Sequence, residues 1–192
     1  REYPKLGGKM IQTEDEISAL GMVIGASFAG RKAFTATSGP GVSLMVEMIG
    51  LSSIAELPAV LLNVMRGGPS TGLPTKTEQA DLQQALFATH GDAPKVVVAP
   101  YSVKSCFEMT MKAFYLAEKY QMPAIIISDQ FIGQRKTSID VDEIKKNKWH
   151  DKVYERPLPE GNILEEGYKR YKIGTTPVVP MTWPGVKKGM YL

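Results

Sequence analysis

Two loops rich in glycine and proline carry the residues of this chain that could do chemistry. The first loop is TSGPG, from Thr37 to Gly41, and the second is RGGPSTGLPT, from Arg66 to Thr75. Each loop follows a short apolar run, and in open α/β sheets ligands bind beyond the carboxyl ends of the strands. The two loops are therefore the first candidates for a binding site.

Neither loop matches the common phosphate-binding or hydrolase motifs. A Walker loop that begins at Gly67 would need a lysine where Leu73 stands, and a Rossmann fingerprint would need its third glycine where Leu44 stands. A nucleophile elbow around Ser43 would need its closing glycine where Met45 stands. Nucleotide binding through these motifs and serine hydrolysis are therefore disfavoured.

The TSGPG loop opens a predicted helix, and the backbone N–H groups at the start of a helix can bind an anion. Ser38, Gly39 and Pro40 belong to this loop and are the candidates for cofactor binding. The alternative interpretation is that this segment is only a tight turn between a strand and a helix.

Arg66 is a candidate for binding a carboxylate. Two glycines follow it, and glycine lets a ligand approach the backbone closely. A guanidinium can hold a carboxylate through two parallel hydrogen bonds, although a surface arginine in a turn is the alternative. Thr75 could bind the same ligand, but Thr75-x-x-Glu78 also has the form of a capping box that opens a helix.

An acidic segment, TEDE from Thr13 to Glu16, precedes the first predicted helix. Thr13-x-x-Glu16 has the form of a capping box, and acidic side chains in a first helical turn suit the helix dipole. From the residue types alone, we expect Glu14 and Asp15 to be solvated.

Short apolar runs and helical patterns alternate along the chain and predict the elements that position these loops. Near-continuous apolar runs are typical of parallel strands covered on both faces, and they fall at residues 33–37, 58–64, 95–100 and 123–129. Helices are predicted at residues 13–29, with Gly30 as terminator, and at 43–55, 78–87 and 102–120. This order predicts right-handed crossovers and an α/β fold with a doubly wound, mostly parallel sheet.

The composition changes after Gly133, where charged residues and then prolines become frequent. We predict an α/β domain over residues 1–133. Residues 134–192 are predicted to hold a charged helix, over 141–148, and an extended C-terminal arm or linker toward a following domain. The chain opens in polar sequence without Met, so we expect that an N-terminal part of the subunit is missing.

Charge and cysteine content disfavour several classes of function. Lys and Arg number 23 and Asp and Glu number 20, which is too balanced to predict binding to nucleic acid or to a membrane surface. No apolar run reaches the roughly 18–20 residues that span a bilayer. Cys106 is the only cysteine, so it can form no intrachain disulfide and cannot hold a cluster alone. We expect it to pack on an apolar helical face in a reducing cytoplasm.

Four longer strings together carry a family resemblance. They are MIQTEDEISALGMVIGASFAG, TATSGPGVSLMVEMIG, RGGPSTGLPTKTEQADLQQALFATHGD and AEKYQMPAIIISD, within about residues 9–133. This combination resembles the α-subunit of the 2-oxoacid:ferredoxin oxidoreductases, and within that family the 2-oxoglutarate group. The resemblance implies the pyrimidine-binding type of thiamine-diphosphate domain.

The resemblance also implies roles for individual residues. Glu16, which stands nine positions before Gly25, matches the glutamate that bonds N1′ of the cofactor's aminopyrimidine, with Glu14 as the second candidate. A carboxyl group at N1′ favours the tautomer whose 4′-nitrogen can act as a base. Arg66 and Thr75 match the family's contacts to the 2-oxoacid.

Partners and cofactors follow from the same resemblance. The implied reaction is the CoA-dependent oxidative decarboxylation of a 2-oxoacid, or its reductive reverse, with ferredoxin as the electron partner. The chain has no GDG…N segment for Mg²⁺ and diphosphate and no cysteine set for a [4Fe-4S] cluster. The resemblance places both on a β-subunit, so we expect a cytoplasmic hetero-oligomer that is active only with that subunit. The alternatives are a non-catalytic partner or scaffold domain, or half of another thiamine-diphosphate enzyme.

Overall fold

A four-stranded parallel sheet forms the centre of the computed structural model, which describes residues 3–146, 154–156, 167–175 and 177–190. Its strands lie in the order β1-β2-β4-β3, with bounds β1 Phe34–Thr37, β2 Ala59–Met65, β3 Val96–Val98 and β4 Pro123–Asp129. All three strand pairs are parallel. The predicted α/β fold with a mostly parallel sheet is therefore confirmed.

Helices connect the strands, with bounds α1 Glu16–Phe28, α2 Gly39–Ile54, α3 Leu82–Phe87, α4 Val103–Tyr120, α5 Gln130–Gln134 and α6 Val141–Lys146. A short 3-10 helix, Tyr3–Leu6, precedes them. In the part of the chain that the structure describes, no helix has the length and apolar composition needed to cross a membrane.

Alternate residues of the two central strands point to opposite faces of the sheet, as the pleat requires. Leu61 and Ile125 belong to the core cluster shared with α1 and α2. Their neighbours Val60 and Ala124 belong to a second cluster, shared with α4. Helices thus cover both faces, which explains why β2 and β4 are almost entirely buried.

The start of α1 differs from the prediction. Asp15, and not Thr13, caps the helix, and its carboxylate accepts a hydrogen bond of 2.7 Å from the backbone N–H of Ser18. This bond, with a further contribution from the Ser18 side chain, holds the pKa of Asp15 below its ordinary value. The predicted Thr13-x-x-Glu16 capping box is therefore wrong.

At the other end of α1, Gly30 adopts φ +78° directly after the C-cap, as its predicted role as terminator requires.

The start of α2 also differs, because the helix begins at Gly39 and not at Ser43. Pro40 stands in the first turn, where proline is well tolerated since its missing N–H would have no helical partner there. The TSGPG loop is therefore mostly the first turn of the helix itself.

α3 begins at Leu82, four residues later than predicted, so Thr75 and Glu78 do not form a capping box. Before the helix, the side chain of Gln79 donates a hydrogen bond of 2.8 Å to Asp129 at the end of β4, and Asp81 accepts one of 2.9 Å from Asn63 in β2. These contacts to the sheet stabilise the irregular path of the chain at residues 76–81.

The described parts of the C-terminal segment pack against the α/β domain, although residues 154–156, 167–175 and 177–190 contain neither helix nor strand. Arg170 is 2% exposed and donates hydrogen bonds to Glu56 and Gln121. Arg156 pairs with the buried Glu118, and Met181 joins the core beside α1 and α2.

An extended arm is not confirmed, and the division at residue 133 stays a prediction. The charged helix predicted over 141–148 is present up to Lys146, and residues 147 and 148 lie outside the described residues.

Truncation of Met181 tests whether this segment is part of the core. Met181 is 0% exposed, so we expect Met181→Ala to lower the free energy of unfolding by about 2–5 kcal/mol, as for other buried side chains. Urea unfolding measures this change. Met190 is 78% exposed in the same segment, and Met190→Ala should change the free energy by less than about 0.5 kcal/mol. Equal effects of the two substitutions would contradict the packing described.

Candidate active site

The carboxyl ends of β1, β2 and β4 lie at one edge of the sheet, because the three strands are parallel neighbours. The register pairs Thr37 with Asn63 and Met65 with Asp129 at this edge. The TSGPG loop continues from β1 and the Arg66 loop continues from β2. The topology therefore brings the two predicted loops to the same edge, which we call the carboxyl edge.

Glu16 is half-buried at the start of α1, where it packs against the start of α2. A Cβ atom placed on Gly41 would lie 2.9 Å from Cγ of Glu16 and 2.0 Å from Oγ1 of Thr37. Only a glycine lets the two helix starts approach this closely. Glu14 and Asp15 are exposed, as predicted, so Glu16 is the acidic residue of this segment that lies against α2.

A second carboxylate, that of Asp81, lies against the start of α2. Its Oδ2 would be 2.8 Å from a Cβ atom on Gly39, and Nδ2 of Asn63 donates a hydrogen bond of 2.9 Å to the same oxygen. Negative charge is favourable at the start of a helix. The neighbouring Ser38 is the N-cap residue but makes no capping hydrogen bond through its side chain. The chain thus places its own acid where an external anion was predicted to bind.

Sequence reasoning missed Asn63 and Asp81. The signal that could have found the first is a polar residue inside the otherwise apolar strand β2, where it is 0% exposed. A buried amide needs a hydrogen-bond partner. Nδ2 of Asn63 donates to the carboxylate of Asp81, whereas Oδ1 of Asn63 is buried without a partner among the described residues.

Arg66 is half-buried at the end of β2, inside a loop that closes on itself. Its Nη2 donates a hydrogen bond of 2.9 Å to the backbone carbonyl of Thr71, and its Nε is buried without a partner among the described residues. The backbone N–H of Gly67 closes the loop by donating to the carbonyl of Lys76 at 3.0 Å. Thr75, next to this closing pair, is exposed and has φ +62°.

Asp129, at the end of β4, is a further buried acid that sequence reasoning did not single out. It is 2% exposed and accepts hydrogen bonds from Gln79 at 2.8 Å and from the backbone N–H of Ile132 at 2.9 Å. A cavity of about 480 Å³ opens beside it, and neither Glu16 nor Arg66 lines that cavity. Cys106 is half-buried near this acid, and burial raises the pKa of its thiol, with a smaller effect from the Asp129 charge.

Substitution of Gly41 tests the close contact between the two helix starts. Gly41→Ala places a methyl group against Thr37 and Glu16, so we expect a loss of about 1–3 kcal/mol in the free energy of unfolding. Gly50 lies in the same helix with no atom within 4 Å of an added Cβ. Gly50→Ala is the matched control and should stabilise the chain by up to about 1 kcal/mol, because alanine favours helix. Thermal unfolding measures both variants. An unchanged free energy of unfolding in Gly41→Ala would contradict the close contact at this position.

Comparisons with known proteins identify the family of this chain. A family model described as "Pyruvate flavodoxin/ferredoxin oxidoreductase, thiamine diP-bdg" matches residues 2–185. The 2-oxoglutarate synthase subunit KorA of Methanocaldococcus jannaschii is 41% identical over 186 residues, which cover 92% of this chain and 51% of that protein. The subunit of the same name from Archaeoglobus fulgidus is 44% identical over 171 residues, which cover 89% of this chain and 47% of that protein.

A solved structure also matches the whole chain. It is the 2-oxoglutarate:ferredoxin oxidoreductase from Magnetococcus marinus with 2-oxoglutarate, coenzyme A and succinyl-CoA bound, with a TM-score of 0.87 and 40% sequence identity. The match covers 100% of this chain and 32% of that chain, and the chain spans about half the length of the KorA relatives above. The chain therefore belongs to the thiamine-diphosphate-binding domain family of the pyruvate flavodoxin/ferredoxin oxidoreductases.

Proposed function

We propose that this chain is the pyrimidine-binding part of the α-subunit of a 2-oxoglutarate:ferredoxin oxidoreductase. The observation that carries the proposal is the half-buried side chain of Glu16, whose Cγ packs against the start of α2 at the edge that also bears Arg66. The names of the relatives, and the 2-oxoglutarate and coenzyme A bound to the Magnetococcus enzyme, support this substrate class.

The residues present fit the aminopyrimidine end of thiamine diphosphate better than its diphosphate end. Glu16 would hold N1′ of the ring, and Ser38, Gly39 and Pro40 would border the same uncharged ring. Asp81 lies against Gly39, and its negative charge would repel a diphosphate at that place. We therefore propose that the diphosphate, its Mg²⁺ and a [4Fe-4S] cluster are held by a β-subunit.

The main chemical role of this chain would be to position one proton, between Glu16 and N1′ of the cofactor ring. When bound, thiamine diphosphate supplies the carbon nucleophile and the electron sink that decarboxylation of a 2-oxoacid requires. Glu16 would hold a proton between its carboxyl oxygen and N1′, and so fix the tautomer of the ring. Its half-buried position at the start of α1 limits competition from water for this hydrogen bond.

Arg66 would orient the substrate through its carboxylate. Among the described residues its buried Nε has no partner, so the guanidinium keeps unmet donor capacity at the carboxyl edge. An arginine can bind a carboxylate through two hydrogen bonds, which fixes its direction as well as its place. Thr75, in the same loop, would donate a further hydrogen bond to the 2-oxoacid.

The whole reaction requires partners. We propose that CoA takes the acyl group, that ferredoxin exchanges electrons with the β-subunit, and that residues 134–192 lead toward a following domain. The single cysteine, Cys106, suits the reducing cytoplasm in which such an enzyme would work.

Co-expression of the complete α-subunit with its β-subunit tests the proposal. We expect reduction of a low-potential acceptor that depends on both 2-oxoglutarate and CoA, and no turnover by either subunit alone.

Substitution of Glu16 tests the proposed catalytic proton. In the assembled enzyme, we expect Glu16→Ala to lower kcat by about 10²–10⁴-fold, the range for a lost acid–base group, while the subunits still assemble. Steady-state kinetics and size-exclusion chromatography measure the two properties. Glu47 is exposed on α2, and Glu47→Ala should keep kcat. A large loss in Glu14→Ala with normal turnover in Glu16→Ala would transfer the role to Glu14.

Substitution of Arg66 tests substrate binding. A hydrogen-bonded charge pair contributes about 1.5–3 kcal/mol, so Arg66→Ala should raise KM for 2-oxoglutarate by roughly 10–100-fold. Arg66→Lys keeps the charge but loses the paired donors, and we expect an intermediate KM. Arg31 precedes β1 and so lies near the amino ends of the strands, away from the carboxyl edge. Arg31→Ala should therefore keep the KM of the unmodified enzyme. An unchanged KM in Arg66→Ala would remove this residue from the substrate site.

A further inference from the structure

The Arg66 loop is closed at its base by backbone hydrogen bonds. The N–H of Gly67 donates to the carbonyl of Lys76 at 3.0 Å, and the N–H of Leu73 donates to the carbonyl of Gly67 at 2.8 Å. Inside the loop, Nη2 of Arg66 donates to the carbonyl of Thr71. The loop therefore holds its own shape, and its direction depends on how its two ends are attached to the sheet.

The first end of the loop is fixed by β2. Arg66 directly follows Met65, the last residue of that strand, and the register pairs Met65 with Asp129 in β4. Neighbouring strands lie about 4.8 Å apart. The point where the loop begins therefore lies next to the end of β4.

The second end is attached through a side chain. Residues 77–80 are exposed, belong to no helix or strand and make no backbone hydrogen bond to any other described residue. Nε2 of Gln79 donates a hydrogen bond of 2.8 Å to Oδ2 of Asp129. The next attachment to the sheet is that of Asp81, which Asn63 bonds at 2.9 Å. Gln79 is thus the attachment that lies nearer to the loop.

Asp129 is a rigid anchor for this bond. It is 2% exposed, ends β4 and caps α5, and its Oδ1 accepts a hydrogen bond of 2.9 Å from the N–H of Ile132. Hydrogen bonds to a carboxylate are roughly twice as strong as those between neutral groups. The buried carboxylate therefore favours the path of the chain on which Gln79 reaches it.

The two attachments together fix the direction of the loop. Both meet the sheet at the same place, because Met65 and Asp129 are register partners. They limit rotation of the loop about its base, and so they limit where the guanidinium of Arg66 can lie. Binding of a carboxylate by a guanidinium depends on direction, and a displacement of about 1 Å can cost as much as 10²-fold in rate.

We propose that Gln79 is a positioning residue of the 2-oxoacid site. Through its bond to Asp129, it holds the Arg66 loop in the orientation that binds the substrate carboxylate. The inference rests on the proposed function, in which Arg66 binds that carboxylate. Loss of the Gln79 amide should therefore weaken binding of the 2-oxoacid and leave the proton held by Glu16 unaffected.

Steady-state kinetics of the assembled enzyme test the inference. Gln79→Met keeps the length of the side chain and removes the donor. We expect KM for 2-oxoglutarate to rise about 5–30-fold, while kcat and KM for CoA change by less than about 2-fold. Gln83 is exposed on α3 and has no hydrogen bond to a described residue, so Gln83→Met is the matched control and should keep all three constants. An unchanged KM for 2-oxoglutarate in Gln79→Met, or an equal rise in KM for CoA, overturns the inference.

A double substitution shows whether Gln79 acts through Arg66. If it does, Gln79→Met raises KM no further in an Arg66→Ala enzyme, because the group that it positions is gone. Effects that multiply in the double variant overturn the inference. A KM raised by Arg66→Ala but not by Gln79→Met refutes the positioning role alone. An unchanged KM in Arg66→Ala refutes the substrate role of Arg66 in the proposed function, and the positioning role with it.

Size-exclusion chromatography and thermal unfolding separate positioning from a loss of structure. Gln79 is exposed, and the cavity of about 480 Å³ beside Asp129 lets water replace the lost donor. We therefore expect Gln79→Met to assemble and to unfold within about 5 °C of the unmodified enzyme. Gln79→Ala removes the same bond and replaces the methionine variant if that variant does not assemble. Failure of both variants to assemble would show a role in folding and overturn the inference.

Discussion

The close approach of two helix starts at Gly41 is the contact on which the candidate site depends. No side chain fits at this position, because the space is filled by Thr37 and Glu16. The contact holds the half-buried side chain of Glu16 between α1 and α2. It also ties the beginning of α1 to the end of β1, so the acid is positioned by the sheet and not by a flexible loop.

Buried polar contacts fix the remainder of the carboxyl edge. Asn63 in β2 bonds Asp81, and Asp129 at the end of β4 bonds Gln79, so the segment that follows the Arg66 loop is anchored to two strands. Hydrogen bonds of this kind are strong where water is excluded, and an unpaired member is costly. They also stabilise the irregular path of the chain before α3, because Gln79 is bonded to β4 and Asp81 to β2.

The strands could be predicted because their signal is local. β4 was predicted at Pro123–Asp129, where the structure has it, since a continuous apolar run between polar residues leaves few alternatives. Helix starts were predicted less well, because several residues compete for the cap and distant contacts decide between them. The packing of Met181 and Arg170 against the domain could not be predicted, because the partners of Arg170 lie 114 and 49 residues away in the chain.

Charge at the carboxyl edge is consistent with our proposal that a second polypeptide holds the diphosphate. Glu16, Asp81 and Asp129 bring three carboxylates to this edge, and Glu78 lies against Gly67. Arg66 and Lys76 are cations of the same loop, and Arg66 is suited to a substrate carboxylate. This balance suits an uncharged aminopyrimidine ring, but it opposes a diphosphate, which needs a metal ion or several cations. The two ends of one cofactor thus require opposite electrostatic surroundings. Under our proposal, a domain that holds a carboxylate at the ring would gain by leaving the phosphates, with their Mg²⁺, to a partner.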